Sequence, residues 1–548
     1  MSTTGLLVLT SSLGQLAPQL QQLLTSAARC VSGRLYVQLL PGQQSLAAAA
    51  ALPAYRPLLY WDVVCRLYAE SARACPQLDV RVLLSHLKRR QLRAQTAAAV
   101  DVLLLERPCA GAEQFAAGQV SRRGHHLQTI ALQTGEPLTA ETAGLCAAPD
   151  ELPDRWLGAQ AEPDNALAVD AVYDKVALGG TFDGIHNGHK VLLTAGLMRC
   201  RQELTVGVTD GQMNNKKTLK ELMAPCLERV QLVTDLLADL DCTVRPRVVP
   251  ITDPLGPTAT EADLQLLVVS EETRRGAQMV ADERRRRQLP PMDVYTVPLL
   301  AAPDRQAAEE PKISSSTLRM RRLGTARRPR LGVPRRAGGP YVIGLTGSAA
   351  SGKSSVARRL AGLGAHVIDC DKLGHAAYAP DTPCHAQLRQ LFGEDIVAAD
   401  GRIDRQRLGA HVFGDPAALR RLTDCVWPEI ARLAERRLAA LGAGQVAVLD
   451  AAVLLEAGWD AQLCDEVWVA LVPRDEALRR AVRRDGISEQ AAARRLDAQM
   501  SNEERVAAAT VVISTLWEPE VTQQQVERAW SQLRADLGHD LEHLDDGA

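Results

Sequence analysis

The stretch that most restricts the fold of this chain is the glycine-rich segment YVIGLTGSAASGKSS, which begins at Tyr341. It contains the pattern G-x-x-x-x-G-K-S from Gly347 to Ser354, after an apolar strand and before a helical stretch. Backbone N–H groups in such a loop point at phosphate oxygens, and the helix that follows adds the positive end of its dipole. Lys353 can place a charge near the β- and γ-phosphates, and the Ser354 hydroxyl can ligate Mg²⁺. The predicted nucleotide-binding residues are Gly347, Ser348, Ala349, Ala350, Ser351, Gly352, Lys353, Ser354 and Ser355.

Two carboxylates follow the next predicted strand, HVID. Asp369 and Asp371 stand at the strand end, where ligands bind in open α/β sheets. A carboxylate there can accept the proton of an attacking hydroxyl during phosphoryl transfer. The alternative is a helix N-cap, which aspartate also favours. We predict a catalytic role for Asp371 and substrate binding for Asp369.

An arginine-rich pair of helices is predicted further on, in ALRRAVRRDGISEQAAARRLDAQM, with a turn at Asp485-Gly486. Arg480, Arg483 and Arg484 cluster before that turn. A mobile lid that brings arginines to a transferring phosphate has this pattern. A solvated arginine-rich helix face is the alternative.

The segments VIGLTGSAASGKSSVARRLAGLGAHVIDCDKLGH and DAAVLLEAGW, with the arginine-rich lid, resemble the dephospho-coenzyme A kinase family. This resemblance implies a P-loop kinase that phosphorylates the ribose 3′-hydroxyl of dephospho-coenzyme A with MgATP. It makes Asp371 the base, Arg484 the lid arginine, and Leu454, Leu455 and Glu456 the acceptor-side residues. The chain departs from the family at Trp427, where His-Pro is frequent, and at Ser514, where asparagine is frequent near the adenine.

Two histidines lie three residues apart in VALGGTFDGIHNGHKVLL. Metal ligation would need further converging side chains, and this stretch offers no third ligand at a telling spacing. The run leaves a strand and enters a helix, so His186 and His189 would donate hydrogen bonds at a helix N-terminus, where anions are favoured. Gly179 and Gly180 would let the backbone approach a nucleotide closely. The pattern therefore predicts a second phosphate site.

This arrangement resembles the HxGH motif of the nucleotidyltransferases, and KISSSTLRMRR resembles their ISSTxLR-type motif. The resemblance implies attack on the α-phosphate of a nucleoside triphosphate with release of pyrophosphate. It makes His186 and His189 catalytic, with Lys217 (or Lys216) stabilising the pentavalent phosphate. The nucleotide-binding residues that it implies are Gly179, Gly180, Thr181, Phe182, Ser314, Ser315, Ser316, Thr317 and Arg319.

The segments GGTFDGIHNGHKVLL, VGVTDGQMNNKK, APCLERV and LVVSEETRRGA are similar to the adenylyltransferase half of the bifunctional coenzyme A synthases. The resemblance covers most of the chain after about residue 170. It implies adenylyl transfer from ATP to 4′-phosphopantetheine, then phosphorylation of the dephospho-coenzyme A formed, with Mg²⁺ as the metal that accompanies ATP. The chain departs at Ala281, where an asparagine often stands. Within enzymes, the alternative is an adenylyltransferase–kinase fusion for flavin or nicotinamide cofactors; outside them, it is a scaffold that has lost catalysis.

The alternation of apolar runs and helical stretches predicts a multidomain α/β protein. We expect a Rossmann-like nucleotidyltransferase domain and a P-loop kinase domain, preceded by an α/β N-terminal region of unknown role. The predicted order is N-terminal region 1–145, linker 146–172, adenylyltransferase domain 173–318, basic linker 319–340, kinase domain 341–535 and acidic tail 536–548. The basic linker carries eight arginines and no acid, which is typical of a solvated connector.

Bulk composition restricts partners and location. The formal net charge of −2 over 548 residues gives no reason to expect nucleic-acid binding. No apolar run reaches the ~18 residues of a membrane span, so membrane contact would be peripheral, through the basic linker.

The 12 cysteines contain no C-x-x-C pair and fit a reducing compartment. We expect small-molecule partners and a cytoplasmic location, and the sequence leaves the oligomeric state open, with a monomer as one possibility. The mitochondrion is the alternative, because the first acidic residue is Asp62.

Overall fold

The computed structural model describes residues 3–46, 54–92, 95–119, 128–132, 171–306, 308–330, 338–412 and 415–545. It divides into two compact units, residues 1–318 and residues 319–548. The predicted linker 146–172 lies almost wholly outside the described residues.

The first sheet is built by the N-terminal region. Its described strands are parallel and lie in the order β3-β2-β1-β4-β5. They are β1 (Thr4–Leu9), β2 (Arg34–Leu39), β3 (Asp79–Val82), β4 (Val102–Leu105) and β5 (Gln128–Ala131). The helices are α1 (Leu13–Leu16), α2 (Leu20–Ala27), α3 (Pro57–Ala74), α4 (Ser85–Arg89) and α5 (Ala112–Gln119). Strand β1 is the central, buried strand of this sheet.

The second sheet is also parallel, in the order β10-β9-β6-β7-β8. The strands are β6 (Tyr173–Gly180), β7 (Cys200–Thr209), β8 (Arg245–Ile251), β9 (Leu266–Ser270) and β10 (Asp293–Val297). The helices are α6 (Asn187–Arg199), α7 (Cys226–Leu240), α8 (Arg274–Arg286) and α9 (Ser315–Arg321). Counted along the chain from its own first strand, this sheet has the order 3-2-1-4-5 of the first sheet.

The carboxyl end of β1 is occupied by an acidic side chain. The Glu106 carboxylate accepts hydrogen bonds from the backbone N–H groups of Thr10 (2.8 Å) and Ser11 (3.0 Å) and from the Ser11 hydroxyl. Glu106 is buried. In the N-terminal region, the strand end at which an open α/β sheet binds anions is thus satisfied from within the chain.

The third sheet, in residues 319–548, has the parallel order β12-β13-β11-β14-β15. The strands are β11 (Tyr341–Gly347), β12 (His366–Asp369), β13 (Val446–Asp450), β14 (Glu466–Leu471) and β15 (Val511–Ser514). The helices are α10 (Lys353–Gly362), α11 (Cys370–Ala377), α12 (Pro383–Phe392), α13 (Arg405–Val412), α14 (Pro416–Ala439), α15 (Trp459–Leu463), α16 (Arg474–Asp485), α17 (Glu489–Asp497), α18 (Asn502–Ala508) and α19 (Pro519–Asp545). The multidomain α/β prediction is confirmed.

The basic segment that follows the second sheet differs from the solvated connector predicted for residues 319–340. Its N-terminal part belongs to the kinase unit: Ala326 forms an antiparallel bridge with Val511 at the edge strand β15. Arg330 is buried and donates to Glu466 (2.9 Å) and Asp536 (2.6 Å). Residues 331–337 lie outside the described part. The prediction is wrong for Arg330, because carboxylates distant in sequence pair with it, whereas Arg321, Arg322, Arg327 and Arg328 are exposed.

The acidic tail predicted for residues 536–548 also differs from expectation. Helix α19 continues through it to Asp545, and Asp536 of this helix forms the ion pair with Arg330. Within the described residues, no helix is both long and apolar enough to cross a membrane.

Replacement of Arg330 by alanine is expected to destabilise the kinase unit by about 3 kcal/mol, because it leaves the buried carboxylate of Glu466 without its cation. Arg328→Ala, which removes an exposed arginine from the same segment, should change the free energy of unfolding by less than about 0.5 kcal/mol. Urea unfolding of the full chain, with loss of kinase activity as the signal, measures the free energy of unfolding of both variants. Equal effects of the two variants would contradict the assigned role of Arg330.

Candidate active sites

The first candidate site lies at the turn between β6 and α6. Phe182 has a φ of 51° and a buried ring, and a Cβ added at Gly180 would come 2.9 Å from that ring. Glycine at position 180 is therefore required by the packing of the turn. Thr181 is half-buried beside it, and its carbonyl accepts a hydrogen bond from Arg229 (2.7 Å).

The two histidines begin helix α6. His186 is the N-cap residue, and its Nδ1 accepts a hydrogen bond from the backbone N–H of His189 at 3.3 Å. The two imidazole rings stack with centroids 3.7 Å apart, and the Phe182 ring lies 5.0 Å from that of His189. Gly188 lets them stack, because a Cβ there would meet the His186 ring at 3.1 Å. The predicted helix N-terminus is confirmed, with both histidines in its first turn.

The protonation state of the pair follows from its surroundings. Burial lowers the pKa of His186 well below 6.5, and the neighbouring charges of His189, Lys190 and Lys312 lower it further. Burial also lowers the pKa of His189 to about 4, although Asp183 opposes the shift. Both rings are therefore neutral near pH 7. Because Nδ1 of His186 accepts a hydrogen bond, its proton is on Nε2 and is available to a ligand.

Cationic side chains lie near the histidines. Lys312 pairs with Glu272 and lies 3.3 Å from Glu310. Burial lowers the pKa of Lys312, and the nearby ammonium of Lys217 lowers it further. Lys217 itself is exposed on the segment after β7. The structure therefore brings the predicted Lys217 close to the second motif of the same unit.

That second motif begins helix α9. The Ser314 hydroxyl accepts a hydrogen bond from the backbone N–H of Thr317 at 3.1 Å. The carbonyl of Ile313 would lie 3.7 Å from a Cβ at Gly188, so the starts of α6 and α9 adjoin. Ser315 and Ser316 are half-buried, whereas Ser314, Thr317 and Arg319 are buried.

A residue that the sequence analysis did not single out braces this site. Arg229 on α7 is buried and donates to the carbonyls of Thr181 (2.7 Å), Thr209 (2.9 Å) and Ala224 (2.9 Å). It thereby joins the carboxyl ends of β6 and β7. The motif APCLERV contained this arginine, but its partners cannot be read from the sequence.

The second candidate site, in residues 319–548, is the glycine-rich loop between β11 and α10. Gly352 has a φ of 82°, and a Cβ there would come 2.7 Å from the Thr515 hydroxyl. A Cβ at Gly347 would come 2.6 Å from the Ala470 carbonyl. The buried hydroxyl oxygens of Ser348 and Ser351 have no hydrogen-bond partner among the described residues. Unsatisfied hydroxyls in such a loop fit a bound phosphate.

Lys353 lies among carboxylates at the ends of β12 and β13. Its ammonium pairs with Asp450 and lies 3.7 Å from Asp371. Burial raises the pKa of Asp450, although Lys353 opposes the shift. Asp369 caps α11 by accepting from the backbone N–H of Lys372 (3.0 Å), which is the alternative that the sequence left open for an aspartate at this strand end. Asp371, in the first turn, is exposed.

Asp450 was missed by the sequence analysis. The signal was present, because VAVLD is an apolar strand that ends in an acid. All five residues of β13 are buried. It lies beside Lys353 of the glycine-rich loop, and P-loop enzymes hold Mg²⁺ with a strand-end aspartate of this kind.

The predicted pair of arginine-rich helices is confirmed as α16 and α17, with a left-handed Gly486 between them. Arg484 is exposed and pairs with Asp485 at 2.7 Å. Arg480, which clustered with it in the sequence, donates to the hydroxyl (2.9 Å) and carbonyl (2.7 Å) of Thr515. The Thr515 hydroxyl in turn donates to the carbonyl of Ser351 in the loop. Arg480 is thus linked to the loop, whereas Arg484 is not.

The residues expected on the acceptor side have different surroundings. Leu454 is fully buried, and a Cβ at Gly344 would come 2.6 Å from it, so Leu454 belongs to the core. Leu455 is half-buried. The Glu456 carboxylate pairs with the buried Arg505 at 3.1 Å.

Two of the three residues that depart from the family pattern, Trp427 and Ser514, lie in the kinase unit. Trp427 lines a cavity of about 350 Å³ together with Asp424, Arg432 and Trp459. Ser514 is buried at the end of β15, and its backbone N–H donates to Gln525 at 2.8 Å. The third, Ala281, is exposed on α8.

Comparison with known proteins agrees with these two sites. Residues 341–516 match the family Dephospho-CoA kinase, residues 177–321 match the Cytidylyltransferase-like family, and residues 3–112 match the family COASY N-terminal domain. Dephospho-CoA kinase of Geobacter sulfurreducens is 46% identical over 192 residues, which are 35% of this chain and 97% of the relative. Those of Geobacter metallireducens and Leifsonia xyli are 43% and 41% identical, over 35% of this chain and 96% and 98% of the relatives.

Fold and sites thus define an α/β enzyme that joins a nucleotidyltransferase to a P-loop kinase. Along the chain, the matched families follow in the order COASY N-terminal domain, Cytidylyltransferase-like and Dephospho-CoA kinase. This order specifies the combination further. The chain belongs to the bifunctional coenzyme A synthases, in which a phosphopantetheine adenylyltransferase is fused to a dephospho-CoA kinase. Its activities are those of the last two steps of coenzyme A synthesis, and the family and function predicted from the sequence are confirmed.

The half-buried His189 and the buried His86 predict a specific pH dependence of stability. The pKa of His189, like that of His86 in the same unit, is lowered by burial from 6.5 to about 4. Between these values the unfolded chain binds more protons than the folded chain. The free energy of unfolding of residues 1–318 should therefore fall as pH falls from about 6.5 to about 4, by up to about 1.4 kcal/mol per pH unit per histidine.

Urea unfolding of the full chain between pH 4.5 and 7.5 measures this slope. The variants His189→Asn and His86→Asn should each flatten it by about one proton. A slope that is unchanged in both variants would show that these histidines are not buried in the neutral form.

Proposed function

We propose that the site at the start of α6 transfers the adenylyl group of ATP to 4′-phosphopantetheine. A phosphate oxygen of phosphopantetheine attacks the α-phosphorus, the bond to the β-phosphate breaks, and dephospho-coenzyme A and pyrophosphate leave. The observation that carries this proposal is the stacked, neutral pair His186 and His189 at a helix N-terminus, beside Lys312 and Lys217.

The proposed roles follow from charge and geometry. The Nε2–H of His186 donates to a phosphate oxygen without adding a positive charge that would have to be buried. The exposed ammonium of Lys217, with Lys216 as the alternative, stabilises the pentavalent α-phosphate. Gly179, Gly180, Thr181 and Phe182 form the turn around the nucleotide. The hydroxyls at the start of α9 and the guanidinium of Arg319 complete its phosphate contacts.

At the glycine-rich loop we propose transfer of the γ-phosphoryl group of ATP to the ribose 3′-hydroxyl of dephospho-coenzyme A. Asp371 accepts the hydroxyl proton as the oxygen attacks phosphorus and ADP leaves. Lys353, which pairs with Asp450 before ATP binds, moves to the β- and γ-phosphates. Arg484 comes from the lid, and Glu456, Leu455 and Asp369 border the acceptor.

The residues around Lys353 fit Mg²⁺, because hydroxyl and carboxylate oxygens are its preferred ligands. One or two protein ligands and the phosphates suffice for this ion. Ser354 and Asp450 would hold the ion, which when bound neutralises charge on the phosphates. The cytoplasmic location stays a prediction from the sequence.

A product assay tests the two-site proposal. With 4′-phosphopantetheine and MgATP, the wild type should form coenzyme A, and Lys353→Ala should stop at dephospho-coenzyme A. His189→Ala should slow formation of dephospho-coenzyme A by about 10²-fold or more. The same variant should still phosphorylate added dephospho-coenzyme A, which controls for misfolding. Activity of the wild type on flavin or nicotinamide nucleotides instead would overturn the substrate assignment, and no turnover would favour the scaffold.

Asp450→Asn should raise the Mg²⁺ concentration that gives half-maximal kinase velocity by about tenfold or more. Adenylyl transfer by the same protein should keep its Mg²⁺ dependence, since the substitution lies in the other unit. Asp395→Asn, which removes an exposed carboxylate paired with His411 in the kinase unit, is the matched control. Equal Mg²⁺ dependence in the two variants would exclude Asp450 as the metal-holding residue.

A further inference from the structure

Helix α6, which carries both histidines, is held by the N-terminal region. Its partner is α3, the long helix between β2 and β3. Leu67 and Tyr68 of α3 belong to the same buried apolar core as Leu193 and Leu197 of α6. The N-terminal region and the adenylyltransferase fold thus share one core within residues 1–318.

Asn187, which lies between His186 and Gly188, is hydrogen-bonded directly to the N-terminal region. The side-chain amide of Asn187 donates to the Tyr68 carbonyl at 2.8 Å and to the Ser71 hydroxyl at 3.0 Å. Ser71 is buried. The first residue of α6 is thereby hydrogen-bonded to the N-terminal region rather than to its own domain.

The residue after His189 carries a buried charge into the N-terminal region. Lys190 is 4% exposed, and its ammonium donates to the Asp79 carboxylate at 2.7 Å and to the Val80 carbonyl at 2.8 Å. Burial by itself would raise the pKa of Asp79, but Lys190 and Arg81 outweigh it and hold that pKa at about 2. The carboxylate is therefore ionised, and removing its charge would leave the ammonium buried and uncompensated.

The other end of α6 is held in the same way. The ammonium of Lys88 donates to the carbonyls of Leu197 (2.7 Å) and Cys200 (2.9 Å), and the Tyr55 hydroxyl donates to the Met198 carbonyl (3.1 Å). Cations and donors are favoured at a helix C-terminus, where carbonyls lack partners. The N-terminal region thus contacts α6 at both ends.

The corresponding anion position of the N-terminal region is closed to a ligand, because Glu106 already accepts from the N–H groups at the end of β1. Its polar contacts are directed instead at the helix of the neighbouring fold. These features distinguish a supporting element from a second nucleotide site.

We propose that the N-terminal region is an integral part of the adenylyltransferase site, and that Asp79 is a positioning residue which orients the histidine turn through Lys190. The inference rests on the proposed role of the histidines. Displacement of catalytic groups by about 1 Å can cost about 10²-fold in rate. Asp79 contacts neither histidine and reaches them through Lys190 on α6, whereas its other carboxylate oxygen accepts from Arg34 and Arg81.

The test compares full-length variants in both reactions. Asp79→Asn keeps the side-chain size but removes the charge. We expect it to lower the kcat of adenylyl transfer about tenfold, with a KM for ATP within about twofold of the wild type, because the groups that position the transition state are displaced. Asp79→Glu restores the charge and should recover most of that kcat. The kinase reaction with added dephospho-coenzyme A should be unchanged in both.

Two further variants separate positioning from folding. Ser71→Ala removes one acceptor of Asn187 with little change in volume and should lower the same kcat two- to threefold. Asp101→Asn changes a carboxylate that bonds the backbone N–H of Thr4 inside the N-terminal region, and it should leave the kcat unchanged.

The outcomes can be distinguished. Unchanged adenylyl transfer in Asp79→Asn and Ser71→Ala would overturn the inference while the proposed function stands. Equal losses in Asp79→Asn, Asp79→Glu and Asp101→Asn would also overturn it, because they would reflect folding alone. A wild type that forms no dephospho-coenzyme A would overturn the proposed function, and the inference with it.

Discussion

Each of the three parallel sheets must satisfy backbone N–H groups where the carboxyl end of its central strand leads into a helix. Unpaired donors at such a point attract an anion. After β1, the Glu106 carboxylate takes this place; after β6, the start of α6 offers a histidine pair; after β11, the glycine-rich loop leaves serine hydroxyls without partners among the described residues. One physical requirement thus gives one closed position and two that can receive a nucleotide.

The glycine-rich loop and the start of α6 differ in how their charged and titratable groups are compensated. At the glycine-rich loop the charge of Lys353 is balanced by Asp450. At α6 charge is avoided, because burial keeps both histidines neutral and the cations lie around them. A kinase must neutralise a triphosphate and transfer its last group. Adenylyl transfer needs donors close to the α-phosphate, where a further fixed cation would be costly to bury.

Local signals made much of both sites predictable from the sequence. The glycine-rich loop and the histidine turn each place their residues within one strand–turn–helix unit, so that spacing alone determines their geometry. Asp450 is recognisable only as the acidic end of an apolar strand, and Arg480 could not be told from its neighbours. Arg330 misled the sequence analysis because its partners are 136 and 206 residues away. The Lys190–Asp79 pair, 111 residues apart, is invisible for the same reason.

The shared core of residues 1–318 gives the N-terminal region a physical reason to stay attached to the enzyme. Helix α3 buries Tyr60, Leu67 and Tyr68 in that core, and α6 buries Leu193 and Leu197. Separation of the two sheets would expose these apolar surfaces and would also leave Lys190 without its carboxylate, and both changes are unfavourable. A sheet with the strand order of a nucleotide-binding fold can thus lose its own anion position and still be required, because the helix that it supports belongs to the neighbouring site.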